Sequence, residues 1–202
     1  MSANLFSKFS LYDQIGYVAV GAVALVLVQV DFWAWNIASP RIDFGLGEAF
    51  ILLVVAYFLG HLFQTLSNLF IREKEVPFSE TEKGLLKTVR DSYSLPDLTD
   101  QQAYGVAIVI ATQADTSGQV QSFGASYGLY RGWSTVFACQ SLVTLVLAAV
   151  HWFDLVLTLT LLTSAAITFL MMQRAGRFFR YSRTKTLYVA YLTARRLFSS
   201  TS

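Results

Sequence analysis

Cysteine is almost absent: Cys139 is the only one in 202 residues. The chain therefore forms no internal disulfide and no multi-cysteine metal site. Charge is scarce too. Asp, Glu, Lys and Arg make up 14% of the residues, against about 25% in soluble domains. Fifteen basic and thirteen acidic residues leave a net charge of +2, which argues against a strongly basic nucleic-acid binder. G-x-S-x-G, H-E-x-x-H and a glycine-rich phosphate loop are all missing. There is no repeat at solenoid periods, and the two halves do not read as the inverted copies of many transporters. What remains is apolar: 54% of the chain is hydrophobic and its mean hydropathy is +0.49.

The charge deficit is concentrated in four windows. Gln14 to Val30 has 17 residues without a formal charge, ending at Asp31 and the aromatics Phe32, Trp33 and Trp35. Ala49 to Ile71 gives 23, Gly132 to Phe153 gives 22 with His151 near its end, and Leu155 to Gln173 gives 19. About 20 apolar helical residues cross the hydrocarbon of a bilayer. The four windows therefore predict four transmembrane helices; a buried soluble bundle, the alternative, would show a polar face. The first window exceeds the apolar core of a signal peptide, and no A-x-A-like site follows it. An uncleaved first span is expected.

Basic residues near the span ends set the orientation. Arg72 to Arg131 holds six, Arg174 to Ser202 holds seven with no acid, and Lys8 lies at the N-terminus. The opposite connections hold Arg41 alone. Both termini and the middle segment are thus expected in the cytoplasm, with Trp33, Trp35 and Trp152 at the far surface. The expected organisation is an all-α integral membrane four-helix bundle. It comprises a cytoplasmic N-terminus (1–13), a transmembrane hairpin (14–71, spans about 14–33 and 48–71) and a helical cytoplasmic segment (72–131). A second hairpin (132–173, spans about 132–151 and 154–173) leads to a basic cytoplasmic tail helix (174–202).

Within the middle segment, Ser79 with Glu82 and Thr99 with Gln102 are capping-box pairs that open two helices. Ser94-Leu95-Pro96-Asp97 separates them. Val106 to Ala111 fits the second helix, with a short buried strand as the alternative. Asp115-Thr116-Ser117-Gly118 is a turn. Val120, Phe123, Tyr127 and Tyr130 then continue helically into span three. In the tail, Phe178, Tyr181, Tyr188 and Leu192 share one helical face. Arg174, Arg177, Arg180, Arg183 and Lys185 are expected to face lipid headgroups; direct nucleic-acid binding has no supporting motif.

Span two carries a polar stripe of Tyr57, His61, Gln64, Thr65 and Asn68 at helical spacing. Polar groups at membrane depth turn toward protein or water, and Gly60 permits close helix approach. The stripe either bonds helices together or lines a path, gate or ligand site in which His61 titrates. A single histidine without neighbouring carboxylate or thiol makes no metal site, and no cofactor is expected. Asp13 and Arg131 are expected at the cytoplasmic boundary, where either the two pair or Arg131 snorkels to the lipid headgroups. Gln140, Ser141, Thr144, Thr163, Ser164 and Thr168 supply further polar groups from spans three and four.

Three segments resemble a loose group of small bacterial four-pass membrane proteins: Phe9 to Tyr17, Ala56 to Gln64, and Tyr127 to Gly132. Where that group often has Pro-Gly, this chain has Val20-Gly21. Some of these proteins look like components of anti-phage defence systems, so the resemblance implies a bacterial inner-membrane setting and that context. The expected function is a non-enzymatic sensor or membrane-perturbing effector, oligomeric and working with a cytoplasmic protein partner. The alternative is a small oligomeric channel or transporter.

Overall fold

The computed structural model describes residues 11–34, 45–70, 76–151 and 155–199. Six helices account for nearly all of them: α1 (Leu11–Ala34), α2 (Leu46–Phe70), α3 (Glu80–Ser92), α4 (Asp100–Ala114), α5 (Gln119–His151) and α6 (Leu155–Ser199). No strand occurs among the described residues, and Val106 to Ala111 lies within α4. Four helices contain stretches long and apolar enough to cross a membrane: Gln14–Trp33, Leu46–Leu69, Gln119–Ala149 and Leu155–Arg196. Their surfaces are apolar as well. Phe50, Phe58, Val146, Leu162 and Phe169 are each more than 60% exposed. A helix bundle in water would bury such side chains, so this outward apolar surface fits a bilayer. The fold is all-helical and the chain has the makings of a multi-pass membrane protein.

The chain forms two compact units. The first comprises Met1–Ile71 and Ala125–Gly176, the second Arg72–Gly124 and Arg177–Ser202.

In the first unit, glycine lets α1 and α2 meet backbone to backbone. A Cβ at Gly21 would run into the Ala56 carbonyl, and one at Gly60 into the Tyr17 carbonyl. Tyr17 and Gly21 are one turn apart, as are Ala56 and Gly60, so the two contacts register an antiparallel pair. Helix α5 lies alongside α1 in the same direction. Val20 packs on Gly132, where a Cβ would stand 2.7 Å from the valine methyl; further along, Asp31 meets Gln140. Val20, Ala24 and Val136 form the buried core, flanked by Val23, Leu27, Phe63, Leu129 and Trp133.

The second unit is built from locally specified helices. Ser79 caps α3 and Thr99 caps α4, each in a reciprocal capping box with Glu82 and Gln102 respectively. At the end of α3, Ser94 adopts φ 54° and the Leu95 N–H returns to the Arg90 carbonyl at 2.9 Å. This left-handed closure ends the helix, and Arg90 ties the following loop to the Leu98 carbonyl at 2.7 Å. Leu86 and Val89 of α3, Ala103 and Ala107 of α4, and Leu187 and Ala190 of α6 make the core. Leu86, Val89 and Leu187 are at most 1% exposed; each contributes about 1.5–3 kcal/mol by leaving water.

Candidate functional site

The polar stripe of α2 divides on inspection. The buried seam of this helix runs through Ala56, Gly60 and Ser67, with Tyr57, His61 and Gln64 half-buried at its edge. His61 stacks on Tyr17 with ring centroids 3.7 Å apart, and Tyr57 meets His61 edge-on at 4.7 Å. Gln64 lies over two α5 glycines, its Cγ 3.3 Å from where a Gly132 Cβ would be and its amide oxygen 3.7 Å from the same point at Gly128. These three side chains pack α2 against α1 and α5. Thr65 and Asn68 face outward, and Thr65 Oγ1 donates to the His61 carbonyl at 2.8 Å. Ser67, absent from the stripe as read in the sequence, is fully buried and donates to the Gln64 carbonyl at 2.6 Å. The signals for this packing are visible as glycine spacings: Ala56-x-x-x-Gly60 and Gly128-x-x-x-Gly132.

Arg131, expected either to pair with Asp13 or to snorkel, has its guanidinium carbon 5.1 Å from the centre of the Tyr127 ring. The Asp13 side chain lies outside the described residues.

A second polar group forms between α1, α5 and α6. Gln140 Nε2 donates to Asp31 Oδ1 at 2.7 Å. The Ser141 and Ser164 hydroxyls are 3.0 Å apart. Ser141, Thr144, Ser164 and Thr168 also donate to carbonyls of their own helices, which is how hydroxyls are accommodated in helices. Beside Gln140 lies an open groove of about 330 Å³ lined by Leu27, Phe137, Leu159, Thr160, Thr163, Ser164 and Ile167. A larger groove of about 430 Å³ between α1 and α2 is walled mainly by valine, leucine, alanine and phenylalanine, so its surface suits hydrocarbon. Cys139, next to Gln140, is half-buried.

The basic tail also divides. Arg174, Arg177 and Arg180 are exposed. Arg183 is not lipid-facing: it is 6% exposed and pairs with Glu82, Nε to Oε1 at 2.7 Å and Nη2 to Oε2 at 2.8 Å. It also donates to the Val76 and Pro77 carbonyls and sits over the Phe78 and Phe179 rings. The reason is rotational. Arg183 shares its helix face with Leu187, Ala190 and Ala194, which is the buried face of α6 in the second unit. Tyr181, Tyr188 and Leu192 are on the exposed side. Lys185 is half-buried, and its charge acts on Asp115.

Two carboxylates of this unit are held below their ordinary range. Burial works against the charge of Glu82, but the Ser79 N–H, the Arg183 guanidinium and the Ser79 hydroxyl together outweigh it. Burial likewise opposes Asp115, and is outweighed by the Ser117 hydroxyl, the Val120 and Ser117 N–H groups and Lys185. The bond to Val120 at 2.7 Å places Asp115 at the start of α5.

Among the described residues, no three His, Cys, Asp or Glu side chains converge as metal ligands. No protein-family model, curated protein or solved structure matches the chain.

Proposed function

We propose that this chain is a non-enzymatic multi-pass protein of the bacterial inner membrane, with both termini cytoplasmic. In this reading it serves as a sensor or membrane-perturbing effector of an anti-phage defence system, as an oligomer with a cytoplasmic protein partner. The observation that carries the reading is the sharing of α5 and α6. Each is one uninterrupted helix that contributes both to an apolar unit and to a unit with its own capped helices and core. A partner bound to the second unit would act on helices that also build the first. The aromatic and basic side chains exposed on α6, among them Arg177, Tyr181 and Tyr188, offer such a partner a contact surface. The test is phage challenge of cells carrying the chain with its neighbouring genes. Loss of protection on deleting the chain supports the reading; unchanged protection and unchanged membrane potential reject it.

A second reading, a small oligomeric channel or transporter, draws on the open groove beside Gln140, whose lining includes three hydroxyl side chains. It requires conductance or uptake by the purified protein in liposomes.

A further inference from the structure

The part of α6 that belongs to the second unit has two faces of opposite character. Arg183, Leu187, Ala190 and Ala194 are buried. On the other side Arg177, Arg180, Tyr181, Tyr188, Leu192 and Arg195 recur at helical spacing and are exposed, Tyr181 by 60% and Leu192 by 52%. This row covers about 27 Å from Arg177 to Arg195 at 1.5 Å per residue. Helix α6 has no Asp or Glu along its length, and among the described residues neither Arg177 nor Arg180 makes an ion pair. Parts of the row are held in place before anything binds. The Tyr181 ring centre lies 6.3 Å from that of Phe123 and 6.4 Å from that of Phe178, and Arg195 donates to the Tyr191 hydroxyl at 3.1 Å. Tyrosine and arginine are the side chains that contribute most at protein contacts, and ordering them beforehand lowers the entropy cost of binding.

An uncompensated basic face calls for an anionic occupant, and three kinds compete. Anionic lipid headgroups form a layer roughly 5–8 Å thick on each side of the hydrocarbon, so a helix that continues a span leaves it within about five residues. The charge-free stretch of α6 ends at Gln173. Headgroups therefore reach Arg174 and Arg177 but not Tyr188, Leu192 or Arg195. A nucleic acid responds to the summed field of the surface it approaches. The rest of this unit, Arg72–Gly124, holds eight acidic residues against five basic ones, which repel a phosphate chain. The tyrosines also form a single row on one helix, without the groove that tracks a single strand. An acidic amphipathic helix fits both charge and shape: carboxylates at three- and four-residue spacing meet the arginines, and apolar side chains between them lie on Tyr181, Tyr188 and Leu192.

We propose that the exposed face of α6 from Arg177 to Arg195 is a docking surface for an acidic amphipathic helix of a cytoplasmic protein, about five turns long. Tyr181 and Tyr188 anchor it, while Arg177, Arg180 and Arg195 set its charge and register. The inference rests on the reading that a cytoplasmic protein binds the second unit, and names the chemistry of that partner. Phage challenge keeps the two apart: if deleting the chain abolishes protection while the acidic helix does not bind, this inference alone falls.

The test uses the full-length protein in nanodiscs of neutral phosphatidylcholine and a fluorescein-labelled synthetic helix bearing leucine on one stripe and glutamate on its flanks. Saturable binding by fluorescence anisotropy is expected, and the same peptide with glutamine for glutamate should bind at least roughly tenfold more weakly. Arg177→Ala with Arg180→Ala should weaken the glutamate peptide roughly tenfold, and so should Tyr181→Ala. Tyr188→Ala reads the same contact where Tyr181→Ala lowers the unfolding temperature. Lys87→Ala, exposed on α3, should leave binding unchanged. Binding that persists in both tyrosine variants is charge attraction alone and would overturn the surface. So would tighter binding of a 20-nucleotide single-stranded DNA than of the peptide, or loss of peptide binding when phosphatidylglycerol replaces the neutral lipid.

Discussion

The Arg183 guanidinium and the Glu82 carboxylate meet side on, with two hydrogen bonds of 2.7 and 2.8 Å, at side-chain exposures of 7% and 8%. Such a pair is conditional: desolvation offsets most of its attraction, but an orphaned partner is costly. Arg183→Ala is expected to destabilise the second unit by about 3–5 kcal/mol. Replacing both, Glu82→Leu with Arg183→Met, should recover most of that loss. Hydrogen exchange along α3 in the full-length protein measures both; equal protection in Arg183→Ala and wild type would contradict the pairing.

Acid should loosen the same unit. Burial opposes the Glu82 charge, but the Ser79 N–H and Arg183 outweigh it, so its folded pKa lies below the unfolded value of about 4.3. For a depressed carboxyl the stabilisation is complete above the unfolded pKa and is lost as pH falls through the folded one. Protection of α3 should therefore decline on the acid side, and Glu82→Gln should flatten that decline. A decline on the alkaline side would contradict this sign.

Glycine tolerance should differ sharply along α1. Gly21→Leu forces a side chain into the Ala56 backbone, whereas the Cβ position of Gly16 has open space. Overpacking is expected to cost Gly21→Leu and Gly60→Leu about 1–3 kcal/mol or more each, with little effect from Gly16→Ala. Thermal unfolding and the monodisperse yield in detergent would show the contrast.

The stripe of α2 should behave as two groups. His61→Leu removes the ring stacked on Tyr17 and is expected to cost about 0.5–1.5 kcal/mol. Asn68→Leu, on the exposed side, should stay within about 0.5 kcal/mol. If liposome flux exists and both His61→Leu and Gln64→Leu retain it in full, the stripe does not line the path.

Local structure was readable from composition and spacing because its causes are local. The two capping boxes, the break at Ser94-Leu95-Pro96 and the four apolar windows each depend on residues a few positions apart. The pairings were not readable. Asp31 and Gln140 are separated by 109 positions, and Glu82 and Arg183 by 101. Helical periodicity tells which side chains share a face without telling which faces meet. Arg183 shows the consequence: counted with its neighbours it resembles a headgroup contact, yet an offset of about 60° around the helix from the exposed Arg180 is enough to bury it. Tyr181 and Tyr188 show the reverse, since the aromatic face of the tail remains exposed while its alanines are packed.

The second unit is discontinuous, assembled from Arg72–Gly124 and Arg177–Ser202 with two apolar stretches of chain between. During synthesis α3 and α4 can cap themselves as soon as they emerge, but Glu82 has to wait for a countercharge encoded 101 residues later. The helices that precede and include Arg183 must be made first. Closure of this unit is therefore a late event in biogenesis, and a chain stalled or truncated before α6 presents Leu86 and Val89 without their cover. Such a chain carries an exposed apolar surface by which quality-control proteases can tell it from a finished one.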